Sequence, residues 1–152
     1  MAEYVITKPE VAKIKDGRVR LLFVNKTRRR QSRVGEPMSV NVAKANKQRE
    51  RVITPVCTYR ATVRIDAEGV VRVIETTHKP GDVTAEALHR LFAAAEAGSP
   101  ADGHAPALKA IAVVAGFKTW PAVYTDALRR ARPTRHRADD LIVEVVGWSA
   151  PR

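Results

Sequence analysis

The chain has a single cysteine, Cys57, among its 152 residues, and aromatic side chains make up 5% of it. One cysteine cannot close an internal disulfide, so no covalent framework is expected. Cys57 falls in a β-rich run and reads as a buried thiol. With so few aromatics, the core must rest on Val, Leu, Ile and Ala. No apolar run approaches the roughly eighteen residues that a transmembrane helix needs. The start, MAEYVITKPE, lacks the apolar stretch of a signal peptide. These two absences lead to the expectation of a cytoplasmic protein with no membrane partner. The four histidines, His78, His89, His104 and His136, stand at no ligand spacing, and with one cysteine a zinc site is not expected. Gly98 and Gly103 have the glycine spacing of a phosphate-binding loop, but His104 and Ala105 stand where its Lys and Ser/Thr belong. No cofactor is expected. There are no repeats and no low-complexity segments, and the length suits one domain over residues 1–152.

Basic charge is present in excess. The net charge is +11. Residues 1–64 hold 16 Lys/Arg against 5 Asp/Glu, and residues 65–152 hold 11 against 11, so the whole surplus lies in the first half. A one-sided surplus points to a polyanionic partner. Nucleic acid is the first expectation; the alternatives are no such partner, and an acidic protein or membrane surface.

Hydrophobic periodicity outlines the elements. Thr7 caps a short helix with Pro9 in its first turn, VAKIK as its body and Gly17 as its stop. RVRLLFV reads as a strand with Val19, Leu21 and Phe23 on one face. Val34-Gly35-Glu36-Pro37 is a turn, and PMSVNVA a strand with Met38, Val40 and Val42 in phase. KANKQRER is a polar connection. VITPVCTYRATVRI is a long β-rich run in which Pro55 marks an edge, bend or bulge. A hairpin turn at residues 66–69 returns the chain as VVRVIET. In the second half, Thr84 caps the helix AEALHRLFAAAEA, with Leu88, Leu91, Phe92 and Ala95 as its stripe. GSPADGHAP is a loop. ALKAIAVVA is a helix stopped by Gly116, Thr119 opens the helix WPAVYTDALRRAR, and LIVEVVGW is a final strand. The expected class is α+β: a mostly antiparallel sheet or small barrel, with helices between the penultimate and last strands.

The basic residues cluster. Lys26, Arg28, Arg29, Arg30 and Arg33 form one group; Lys44, Lys47, Arg49 and Arg51 form a second, across a short strand. Guanidinium groups make paired hydrogen bonds to oxyanions, so Arg-rich segments suit phosphates. The alternative is a pair of solvated loops. A third run, at residues 129–137, ends a helix, where the dipole favours cations anyway. Tyr4, Tyr59 and Trp148 could stack a base if exposed, but core packing is the expected role of each. The stripe of Trp120, Val123, Tyr124, Ala127 and Leu128 also reads as core. Asp139 and Asp140 read as a solvated pair, not as metal ligands.

The order of the segments RVGEPMSV, VCTYRATVRI, AGFKTWPAVY and DLIVEVVGW resembles the ASCH domain family, whose fold is similar to the PUA β-barrel. The likeness runs from about Ile6 to Trp148. It implies a small PUA-like barrel with flanking helices, and RNA or modified bases held in a cleft bordered by residues 18–33 and the late helices. The family signature is Gly-x-Lys-x-x-Thr-x-Arg after the first helix. Here Gly17 matches, but Val19, Leu22 and Val24 stand in the Lys, Thr and Arg positions, and Ala115 replaces a later acid. Members that are enzymes remove an acyl group from a modified cytidine. Amide hydrolysis needs a base or nucleophile, a proton donor and an oxyanion stabiliser, and these apolar side chains supply none. A shifted register places Lys26 in the Lys position with Thr27 beside it, which would give these two a catalytic role, although Arg29 then stands in the Thr position.

The resulting expectation is a non-catalytic, ASCH-like protein that binds nucleic acid, RNA more than DNA. It would act through phosphate contacts that carry little base information. The alternatives are a deacylase or ribonuclease using Lys26 and Thr27, and a bacteriophage-type module that binds an acidic host protein.

Overall fold

The computed structural model describes residues 2–25, 32–44, 46, 48–65, 71–96, 104–131 and 141–149. Seven strands and four helices follow one another as β1 (Ala2–Ile6), α1 (Lys8–Lys15), β2 (Leu21–Asn25), β3 (Met38–Ala43), β4 (Arg49–Ile53), β5 (Cys57–Ile65), β6 (Val71–His78), α2 (Val83–Glu96), α3 (His104–Val114), α4 (Trp120–Ala131) and β7 (Leu141–Trp148). The class is α+β, and the three later helices fall between β6 and β7, as the periodicity implies. The strands form a three-stranded sheet, β1-β3-β4, and a four-stranded antiparallel sheet, β2-β7-β5-β6.

Local chemistry explains most boundaries. At α1, Glu10 reaches back to accept from the Thr7 backbone N–H at 3.0 Å and from its hydroxyl at 2.7 Å, which satisfies a donor that the helix start would otherwise leave unpaired. Gly116 ends α3 with φ +91, and a Cβ there would meet the Val19 side chain at 2.9 Å. Only glycine serves both the left-handed stop and that close approach.

Several expectations shift. β1 is an added strand, parallel to β3; its five residues are too short for periodicity alone to single out. Val19 precedes β2 and does not share the face of Leu21 and Phe23. The long β run is two strands, broken at residues 54–56 around Pro55, which has no N–H to give a ladder. β4 starts inside the expected polar connection. α2 starts ahead of Thr84, because Asp82 accepts from the Ala85 N–H at 2.9 Å and caps the helix itself. His104 begins α3 and is not a loop residue.

Two cores result. The first lies between the four-stranded sheet and α2–α4. Tyr59 stacks on Phe92 at 5.6 Å, Phe23 packs against Phe92 at 6.4 Å, and Trp120 meets Phe23 edge-on at 6.1 Å. The second core lies between the sheets: Leu22, Cys57, Val146 and Trp148 meet Tyr4, Met38, Val40 and Val42, with Ile14 of α1. The sheets join at one corner, where Pro37 bridges Val56 and the Met38 N–H donates to the Pro55 carbonyl at 2.9 Å. Among the described residues no ladder closes the seven strands into a barrel.

Candidate functional site

Strand alternation builds the site. Along β5, Tyr59, Ala61, Val63 and Ile65 face the helices, so Arg60, Thr62 and Arg64 face the other way. On β7, Val143 and Val145 face the helices, and Ile142, Glu144 and Val146 face away. The small sheet covers only the part of this outer face around Leu22, Val146 and Trp148. Beyond its reach, Ile142 and Glu144 of β7, Arg60 and Thr62 of β5, and Ile74, Glu75 and Thr77 of β6 floor a cleft of about 710 Å³, with Arg33 and Val34 at its margin. Clefts of a few hundred Å³ suit small organic groups.

At the centre of the floor is Glu144, 4% exposed. Thr62 lies directly opposite it in the β5–β7 register and donates its hydroxyl to both carboxylate oxygens, at 3.1 and 3.0 Å. Arg60 Nη2 donates to Glu144 Oε2 at 3.0 Å. The Nε of Arg60 is buried and makes no hydrogen bond among the described residues. A carboxylate removed from water needs such partners, and in return it fixes Arg60 in one orientation on the floor. A buried pair of this kind adds little net stability, although breaking it is costly.

The basic residues divide. Arg33 lines the cleft, and its backbone N–H donates to Glu36 at 3.1 Å. Lys26, Arg28, Arg29 and Arg30 lie outside the described residues, as does Lys47. The residues on either side of positions 26–31 are described. Val24 and Asn25 pair with Glu144 and Val143. Ser32, at the other end, exchanges hydrogen bonds with the Tyr4 hydroxyl at 3.1 Å and adjoins Arg33. Glu144, opposite Val24, and Arg33, next to Ser32, both line the cleft.

The second cluster is placed differently. Lys44 pairs with Glu50 at 3.6 Å and Arg49 pairs with Glu3; exposed pairs of this kind contribute little. Arg49 and Arg51 are exposed on β4, an edge of the three-stranded sheet. Charge on an edge strand deters pairing with another chain, which accounts for them without a ligand. Arg33 precedes β3 and Lys44 follows it, so these members of the two groups lie at opposite ends of a strand about 20 Å long.

Tyr4, Tyr59, Trp120 and Trp148 are all buried and stack on no ligand surface. Burial pushes the Cys57 thiol up to about 11 despite the Tyr59 backbone contact that opposes it, so the thiol is unreactive near neutrality. Val19, Leu22, Val24 and Ala115, the residues compared above with the family signature, pack in or against the two cores. The floor of the observed cleft is made by strands, on the side of the sheet away from the late helices. His78 and His89 stack at 4.5 Å between β6 and α2, and among the described residues no group of three His, Cys, Asp or Glu could hold a metal ion. His136, Asp139 and Asp140 lie outside the described residues. No described helix is long and apolar enough to cross a membrane.

Sequence reasoning missed Arg60, Thr62 and Glu144. The available signal was Glu144 itself, a lone carboxylate between Val143 and Val145 in an otherwise apolar strand, where an ion is expected to be paired.

Compared with known protein families, curated proteins and solved structures, the chain matches none.

Proposed function

We propose that the protein binds nucleic acid, single-stranded RNA in preference to duplexes or DNA, as a divergent ASCH-like domain. One observation carries the reading: on either side of the Arg/Lys-rich positions 26–30 the described chain meets the open cleft, through Glu144 opposite Val24 and through Arg33 next to Ser32. Phosphates would meet the segment's guanidinium groups, while the cleft would accept a group that only an unpaired strand can offer. The preference for RNA rests on the resemblance, which also supports a flattened PUA-like barrel: two sheets share one core and join at one corner. The apolar residues at the signature positions favour binding over amide hydrolysis.

The test is fluorescence anisotropy with single-stranded RNA, duplex RNA and duplex DNA at two salt concentrations, beside an Arg28/Arg29/Arg30→Ala variant. Single-stranded RNA is expected to bind best. Its affinity should fall with salt, and the triple variant should flatten that dependence by about two units of log-log slope, at ~0.7 per phosphate contact. Absence of binding at low salt, or a triple variant indistinguishable from the native protein, rejects the reading.

A further inference from the structure

The floor of the cleft has features that phosphate binding does not require. Its lining holds two cationic side chains, Arg33 and Arg60, and two anionic ones, Glu75 and Glu144. The formal charges cancel, so an anion would find no net attraction there. Ile74 and Ile142, 57% and 39% exposed, contribute apolar surface on the strands flanking β5. Neutral charge, aliphatic surface and a few fixed polar groups suit a neutral planar heterocycle.

The polar groups restrict which heterocycle. Arg60 only donates hydrogen bonds and Glu75 only accepts them. Glu144 engages a single nitrogen of Arg60, Nη2; the outer edge of the guanidinium keeps further N–H groups, and the side chain is 25% exposed. That fork calls for two neighbouring acceptors, and Glu75, across Thr62 from Glu144 on the same face, calls for an amine.

We propose that the cleft takes one nucleobase and selects guanine or cytosine over adenine and uracil. This rests on the nucleic-acid reading above. Guanine offers O6 and N7 as neighbouring acceptors with N1–H and N2–H as donors; cytosine offers O2 and N3 with its N4 amine. Adenine sets its amine directly beside its ring acceptors, and uracil places N3–H between its two carbonyls, so neither presents an acceptor pair to the fork. Glu144 is a positioning residue: it touches Arg60, not the base.

The probe is a labelled eight-nucleotide uridine strand, unchanged or with one central G, C or A, titrated by anisotropy. The G or the C strand is expected to bind roughly tenfold tighter than the A and all-U strands, in the range of one good bidentate contact; whichever binds tighter identifies the base edge that is read. Arg60→Lys, which keeps the charge and loses the fork, should abolish the preference while salt-sensitive affinity persists. Glu75→Gln, at an exposed position that does not endanger folding, should reduce it. Equal binding of all four strands, or a preference that survives both substitutions, overturns the base pocket and leaves the nucleic-acid reading standing. Failure of every strand to bind removes both.

Discussion

The two faces of the four-stranded sheet share their strands but are covered differently. One is sealed by α2, α3 and α4 over Tyr59, Phe92, Phe23 and Trp120. The other is sealed along β2 and one end of β7 by the small sheet, and open over Arg60, Thr62 and Glu144. Apolar burial at roughly 25 cal/mol per Å² makes the helix-covered core, with the smaller core between the sheets, the source of stability. The open face carries an ion pair that a hydrophobic replacement could match or exceed in stability. The comparison can be broken from either side.

The largest effect is expected on the sealed face. Phe92 is 1% exposed and touches both Tyr59 and Phe23, so Phe92→Ala should cost about 3–5 kcal/mol in denaturant unfolding, while any protein that remains folded keeps its RNA affinity. A loss below about 1 kcal/mol would mean that the helices do not dominate stability. On the open face, Thr62→Val preserves the branched shape and removes the hydroxyl from Glu144. A cost of about 1 kcal/mol is expected, together with a weaker base preference as Glu144 loses one of the two partners that fix it. If stability falls as far as with Phe92→Ala, the open face is a second structural core and its functional reading fails.

The helix-covered face, and the packing of α1 and β3 between the two sheets, were largely legible in the sequence. The stripe Leu88, Phe92, Ala95, the phase of Met38, Val40 and Val42, and the stops at Gly17 and Gly116 follow from fixed periods and from backbone chemistry, both local properties. The open face was not. Thr62 and Glu144 are 82 residues apart, and their pairing depends on β7 inserting between β2 and β5 after three intervening helices. Nothing local encodes that crossover. The start of α2 shows the same limit on a smaller scale: Thr84 is an acceptable cap, but Asp82 lies two residues earlier and holds a tertiary partner that the sequence does not reveal.

That partner provides the smallest and most specific test of how the faces are joined. Asp82 caps α2, an element of the sealed face, and accepts from the Ser149 hydroxyl at 2.6 Å, just past the end of β7. Partial burial alone would raise its pKa, but the hydrogen bonds from Ser149 and Ala85, with Lys79 nearby, outweigh that and hold its carboxyl below the ordinary 3.8. A carboxylate whose folded pKa is depressed binds protons more readily when unfolded. Its contribution is therefore complete above the unfolded value and is lost as pH falls below 3.8 through the lower folded value. At pH 7, Asp82→Ala should cost about 1 kcal/mol, as for a lost helix cap. In paired denaturation curves the gap between native and variant should narrow toward pH 3, as the part carried by charge disappears. A gap that stays constant from pH 7 to pH 3 would mean that the cap and the Ser149 tie act through shape alone, and that the charge of Asp82 plays no part in fastening α2 to the end of β7.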